Sequence, residues 1–310
     1  MIDLADRALR KLRELQFNRD ARAVLATPPL RASDDGVVLF SMIGTRVVLP
    51  YLIAAKSLHA QLGRGRFVIL DDGTLTGNDR AVLAAHLDRP EILAIGDVEL
   101  GDCPRGGCWE RLLTLLALRR DNYVIQLDSD TVTLGPVPEV AAAIEAGRDF
   151  TLLGGDDAEL VSVEAIAAHL SSVPADAHVQ PKIEVLLADI ARRLPQLTHY
   201  VRGCAGFAGF APGGMGREIA DAFSREAIAL LGKQVWSEWG SEQVMSNVIV
   251  ANEGDSVLLP YERYLNFWNA PYGAEAALVH FVGTYRYHRG AYARASRDAL
   301  AGLGSVRAAA

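Results

Sequence analysis

Asn122-Tyr-Val-Ile-Gln-Leu-Asp-Ser-Asp130 decides how this chain is read, because an apolar run there ends in two aspartates one residue apart. Three aliphatic side chains and a tyrosine have the character of a buried strand, which places Asp128 and Asp130 where the strand leaves the core. Residues i and i+2 of an extended backbone point to the same side, so both carboxylates can converge on one hard cation. The pair reads as a metal-diphosphate site. An Asp-Ser-Asp turn that only caps the strand is the plainer alternative.

Upstream, the pattern alternates strands and helices. Val37 to Phe40 predicts a strand, Leu49 to Leu62 a helix with one apolar face, and Arg66 to Leu70 a second strand. Asp79 to Leu87 predicts a helix, Glu91 to Ile95 a strand, and Trp109 to Arg119 a helix leading into the Asp128 strand. Strands separated by helices of ten or more residues call for crossover connections, hence an α/β fold with a mostly parallel sheet. In such a sheet ligands gather at the carboxyl ends of the strands, which groups Ser41, Asp71, Asp72, Asp128 and Asp130 on one edge. Asp71 and Asp72 are explained by an Asp-Gly turn, with Thr76 and Asp79 as caps of the next helix.

The 310 residues allow one large α/β domain or two small ones. A net charge of -7 argues against a nucleic-acid binder held by a general basic surface. Cys103, Cys108 and Cys204 have neither an even count nor CxxC spacing, so they read as reduced thiols of a cytoplasmic protein. No stretch is apolar for long enough to span a membrane, and the N-terminus lacks the apolar core of a signal peptide.

Residues 2 to 25 place Leu4, Ala8, Leu12 and Leu15 at helical spacing among mixed charges, and Thr27-Pro-Pro-Leu ends the pattern. Residues 1–30 therefore form an N-terminal helical extension, packed on its own domain or on a second subunit. Peripheral association with a membrane surface and a homodimer both stay open. Residues 31–310 form the main domain.

In the second half, Val140 to Ala146 predicts a helix and Phe150 to Leu153 a strand, with helices at 158–170 and 182–194 around a Pro174 loop. Gly203-Cys-Ala-Gly-Phe-Ala-Gly-Phe210 is too glycine-rich for a buried helix and marks a strand or loop that approaches something closely. Helices follow from Met215 to Leu231 and from Ser241, the expected N-cap, onward. Near the C-terminus, Leu278-Val-His-Phe-Val-Gly-Thr-Tyr-Arg286 is a short apolar strand leading into a histidine. His280 with Asp128 and Asp130 makes an oxygen and nitrogen set suited to Mn²⁺ or Mg²⁺. Gly283 lets the backbone approach a phosphate and Arg286 brings a fixed positive charge to it.

Together these islands resemble the nucleotide-sugar glycosyltransferases of the GT-A fold, especially family 8, the glycogenin and galactosyltransferase type. The resemblance rests on Asp128-Ser-Asp130 after the Trp109-Glu-Arg-Leu112 helix and on His280-Phe-Val-Gly-Thr-Tyr-Arg286, which matches a His-x-x-Gly-x-x-Lys pattern with arginine for lysine. Ser41-Met-Ile-Gly44 with Leu52-Ile-Ala-Ala-Lys-Ser-Leu58 is similar to the family's first strand and following helix. Glu242-Gln243 with Asn247 is similar to its Asp-Gln pair and trailing Asn. Two departures stand out: Arg202 replaces the Asn that commonly opens the glycine-rich strand, and Arg286-Tyr-His288 replaces Lys-Pro-Trp.

The resemblance implies a GT-A, Rossmann-like, mostly parallel central sheet flanked by helices, with a nucleotide-binding half at about 37–150 and an acceptor half at about 151–290. It implies a metal-dependent hexosyltransferase that takes a nucleotide-diphosphate sugar, with retention favoured over inversion, for which Asp156, Asp157 or Glu242 would be the base. Asp128, Asp130 and His280 would hold manganese. Ser41, Lys56, Arg111, Asp128, Gly283 and Arg286 would meet the nucleotide and its diphosphate, and Glu242 and Gln243 would serve catalysis. The acceptor is open between a glycan, a lipid-linked sugar, a protein and a small molecule. A nucleotidyltransferase acting on sugar phosphates is the neighbouring class, although Ser41-Met-Ile-Gly-Thr-Arg46 is a poor version of its basic glycine loop. A sugar-binding protein on a decayed transferase fold is the non-enzymatic alternative.

Overall fold

A computed structural model describes residues 4–169, 173–174 and 176–305. The chain adopts the expected mixed α/β architecture, with a seven-stranded, mostly parallel main sheet and flanking helices. It divides into two compact units. The first comprises Met1–Ala94, Gln126–Ala141 and Pro260–Ala310, and the second Ile95–Ile125 and Ala142–Leu259.

In the first unit, Val37–Ile43, Arg66–Asp71 and Glu91–Ala94 pair in parallel, with Val38 opposite Arg66 and Val68 opposite Glu91. Apolar side chains of Val37–Ile43 are buried except the half-buried Met42, as expected when helices cover both faces of a parallel sheet. The crossovers are the helices Val48–Leu62 and Gly77–His86. The first ends on Gly63 in the left-handed region, whose N–H donates to the His59 carbonyl. The second starts in a capping box in which Thr76 and Asp79 satisfy each other's backbone N–H. Asp71 accepts from the N–H groups of Gly73 and Leu75 and pairs with Arg80, while Asp72 accepts from Thr74. These carboxylates build a turn, as their Asp-Gly context suggests.

A second, three-stranded sheet lies in the same unit and was not evident in the sequence. Leu278–His280 pairs parallel to Tyr264–Asn266 and antiparallel to Thr131–Thr133. Its strands are three residues long, and apart from the expected one at Leu278 they are too short for a hydrophobic period to announce them. The register sets His280 between Asn266 and Thr131.

The helix Leu4–Asp20 and a 3₁₀ segment, Ala21–Ala26, also belong to the first unit. Phe17 stacks on Tyr292 of the helix Ala291–Ser305 at a centroid distance of 4.1 Å, and Tyr292 stacks in turn on Phe281 at 4.7 Å. Leu9, Leu12 and Leu15 are exposed. Residues 2–3 of the expected N-terminal helix and residue 170 of the expected 158–170 helix lie outside the described residues.

In the second unit, Phe150–Leu153 pairs parallel to Val257–Leu258 and antiparallel to Gly203–Phe210. The glycine-rich segment is a strand, and all eight of its residues are buried. What it approaches closely is its own core. Gly209 lies opposite Phe150, and a Cβ there would fall 2.1 Å from the Phe150 ring; at Gly203 a Cβ would meet Thr151 Oγ1 at 2.4 Å and Asn247 Oδ1 at 2.7 Å. Gly209→Ala is therefore expected to cost about 2 kcal/mol by overpacking, read as a lower urea midpoint with an unchanged slope. An unaltered midpoint would show that the Phe150 ring can move aside at no cost.

Three helix expectations need correction. Within 158–170, Val161–Ser162 is a short strand and the helix is Val163–His169. Residues 182–194 form two short helices, Val179–Glu184 and Leu187–Ala191, the first tolerating Pro181 within its opening turn. Ser241 is not the N-cap of Ser241–Ala251: Gly240 is, at φ 99°, a conformation that favours glycine. A Cβ at Gly240 would also strike the His178 ring, and Ser241 Oγ instead accepts from the indole N–H of Trp109 at 2.8 Å.

Candidate metal centre

The Asp-Ser-Asp turn links the strands Tyr123–Leu127 and Thr131–Thr133. Thr131 closes it, donating to the Asp128 carbonyl through both its N–H and its hydroxyl. Three further contacts hold the turn from outside. Ser41 Oγ donates to the Leu127 carbonyl at 2.6 Å, Tyr292 OH donates to the Ser129 carbonyl at 3.2 Å, and the Phe281 N–H donates to the Asp130 carbonyl at 2.8 Å. Backbone on both sides of the carboxylates is thus fixed before any ligand arrives.

Asp128, Asp130 and His280 each offer one ligand atom, and the three atoms lie within 4.8 Å of one another. His280 Nε2 is 3.3 Å from Asp130 Oδ1 and 3.9 Å from Asp128 Oδ2. Its other ring nitrogen, Nδ1, is 2.9 Å from Asn266 Oδ1. Asp130 and His280 are buried, whereas Asp128 is half-buried and gives the cluster access to solvent. Two carboxylate oxygens and one imidazole nitrogen converging at this separation suit a divalent ion of the Mn²⁺ or Mg²⁺ kind, so the donor set fits.

Arg286 completes the cluster by pairing with the Asp130 carboxylate and donating from Nε to the Phe281 carbonyl at 3.2 Å. Burial alone would raise the Asp130 pKa, but the charges of His280 and Arg286 and the hydrogen bonds to the carboxylate outweigh it and hold the value at about 2. Asp130 is therefore an anion at any neutral pH. The nearby backbone opens at Gly283, which starts a 3₁₀ turn at φ 25° with nothing within 4 Å of where a Cβ would stand.

The remaining sequence candidates have the following local partners. Ser41 is buried beneath the turn and braces it, as described. Lys56 is fully buried, with its ammonium donating to Thr27 Oγ1 at 2.8 Å and to the Pro28 carbonyl at 2.5 Å. Burial lowers its pKa to about 8. Its position ties the 27–28 linker to the helix Val48–Leu62.

Arg111, Glu242 and Gln243 belong to the second unit. There Arg111 Nη2 donates to both oxygens of the buried Glu242 carboxylate, at 3.4 and 3.2 Å. Gln243 Oε1 accepts from the Ala205 N–H of the glycine-rich strand at 3.3 Å, and Asn247 donates to the Gly203 carbonyl of that strand at 3.2 Å. Among the late aromatics, Tyr264 and Phe267 are core residues and Trp268 is half exposed; Trp236 is buried, while Trp239 is largely exposed.

Asn266 and Tyr292 were missed in the sequence. A lone amide in the apolar run Tyr264-Leu-Asn-Phe267 is the signal that could have found Asn266, since a buried Asn needs a partner. Tyr292 carries no such signal, because its role depends on where a C-terminal helix packs.

No protein-family model matches the sequence, and no curated protein matches it. Among solved structures, the chain is similar to the apo form of the bifunctional glycosyltransferase WbbM, at 12% identity and a TM-score of 0.43, over 82% of this chain and 47% of that one. It thus spans about half the length of that protein. It is also similar to an active-site mutant of LgtC, at 14% identity and a TM-score of 0.46, over 86% of this chain and 95% of that one. A third likeness is to core-mannan synthase A from Aspergillus fumigatus in its Mn/GDP form, at 9% identity and a TM-score of 0.44, over 89% and 87% of the two chains.

Proposed function

We propose that this chain is a metal-dependent glycosyltransferase of the GT-A type, moving a hexose from a nucleotide-diphosphate sugar to an acceptor with retention of configuration. The observation that carries the reading is the convergence of Asp128, Asp130 and His280 at the end of a buried strand. The chemistry supplied by a divalent ion bound there is Lewis-acid neutralisation of the charge that builds on the departing diphosphate, worth several kcal/mol at the transition state.

The chain's own groups do the rest. Asp128 and Asp130 would hold the ion with oxygens and His280 with Nε2, a mixed donor set that would favour Mn²⁺ over Mg²⁺. Arg286, already beside Asp130, presents a second positive charge to the phosphate oxygens, and Gly283 allows them close to the backbone. Ser41 keeps the carboxylate turn in place from the end of the first strand. Glu242 and Gln243 are assigned to the sugar-transfer chemistry, on their likeness in sequence to the family's acidic-Gln pair. Three cysteines without CxxC spacing, Cys103, Cys108 and Cys204, accord with a reducing, cytoplasmic setting.

Calorimetry with UDP and GDP tests the reading directly. Binding of one of them is expected to tighten at least about tenfold when Mn²⁺ is added, equivalent to about 1.4 kcal/mol. Equal affinity with and without metal would remove the basis of the proposal. A screen for hydrolysis of nucleotide sugars then identifies the donor, and the anomer of the product by NMR decides retention.

A further inference from the structure

The three ligand residues do not by themselves explain which nitrogen of His280 faces the carboxylates. An imidazole has two chemically different nitrogens, and either can bind a metal. Which one does so is set by the hydrogen bond that the other makes. In this chain the strand register puts Asn266 directly beside His280, and both side chains are buried. The backbone is locked there as well, since the Phe267 N–H donates to the His280 carbonyl at 2.8 Å. Asn266 Oδ1 lies 2.9 Å from Nδ1, while Nε2 looks toward Asp128 and Asp130.

We infer that Asn266 is the positioning residue of the metal centre: its amide oxygen accepts the Nδ1–H proton and so leaves the Nε2 lone pair as the ligand. The inference rests on the metal-dependent reading of Asp128, Asp130 and His280. Burial makes the arrangement strict, because a buried Asn oxygen and a buried ring N–H each need a partner and each supplies the other's. A ring held in this way is presented to the ion already oriented, the role that acceptors behind metal-binding histidines play generally. Asn266 also determines what the site prefers. Without an oriented nitrogen the centre is left with two carboxylates, a harder donor set that discriminates less between Mn²⁺ and Mg²⁺.

The test is calorimetric titration of Mn²⁺ and Mg²⁺ into the full-length chain and two variants, with thermal unfolding as a fold control. Asn266→Leu keeps the volume but removes the acceptor, and is expected to weaken Mn²⁺ binding about 10- to 100-fold. It should also reduce the preference for Mn²⁺ over Mg²⁺. Asn266→Asp keeps an acceptor oxygen and should hold Mn²⁺ at least as well as the parent. A merely structural role would lower both metal affinities together in the Leu variant, and that result overturns the inference. A loss of more than tenfold in Asn266→Asp overturns it equally, and this arm remains decisive where Asn266→Leu does not fold. If the parent binds no metal while remaining folded, the metal-centre reading fails first, which the parent titration alone reveals.

Discussion

Asp130→Asn is expected to weaken Mn²⁺ binding by on the order of 100-fold or more and to abolish metal-dependent binding of the nucleoside diphosphate. Replacing a group that only orients a ligand already costs up to about 100-fold, and Asp130 is itself a ligand. Of the two aspartates it is also the more deeply set. Its carboxylate meets His280 and Arg286 at once and is held ionised to about pH 2. The asparagine keeps the shape and removes the charge. That change leaves the partly buried Arg286 without its counter-ion, so the folded state should lose about 1–3 kcal/mol as well. Calorimetry and thermal unfolding on the same preparation separate the two effects. A variant that binds Mn²⁺ as the parent does would reduce Asp128-Ser-Asp130 to a strand cap.

The largest expected effect on stability lies in the second unit. Arg119 is almost fully buried in the second unit, bonded to Asp149 at 3.3 Å, to Glu253 at 2.9 Å and to the carbonyls of Ala211 and Met215. Asp149 is buried too and also accepts from the Ala211 N–H at 2.7 Å. Arg119→Leu strands a buried carboxylate, for which a cost of about 3–5 kcal/mol is expected.

The pH dependence of that cost has a definite sign. Burial pushes Asp149 up from the ordinary carboxylate range to about 7, against the pull of Arg119 and the Ala211 N–H. Between pH 4 and 7 the folded state therefore binds more protons at this site than the unfolded state, and its contribution to stability falls as pH rises. Without the guanidinium the carboxyl group is easily tolerated when protonated and poorly when ionised. Urea unfolding should accordingly show a larger deficit for Arg119→Leu at pH 8 than at pH 5. A deficit that does not grow with pH would show that the variant is weakened by lost packing alone.

The sequence made the architecture legible wherever a signal was local. Apolar strands between amphipathic helices announced a parallel sheet, the Asp-Gly turn and its capping residues explained Asp71 and Asp72, and the glycine-rich strand was recognisable as a close approach. The candidate metal ligands were legible because two of them share one turn and the third ends an apolar strand. What stayed hidden depends on partners distant in the chain. Lys56 looks like a polar residue on a helix, and only the fold shows it beneath Thr27 and Pro28. Arg111 and Glu242 look like two independent candidates, and only packing reveals them as one ion pair. Asn266 belongs to a strand too short to carry a period, so its place beside His280 follows from register alone.

The small sheet also dictates when the centre can come into being. Asp130 and Arg286 are 156 residues apart, and the strand carrying Asn266 must be present before that carrying His280 can settle between its neighbours. A growing chain thus exposes its carboxylate pair early but lacks the imidazole until the stretch through residue 280 has been translated. Capture of an ion by all three candidate ligands would wait until then. Metal occupancy would therefore report that the C-terminal strands have docked, and a truncated product would be unable to sequester the ion with all three ligands.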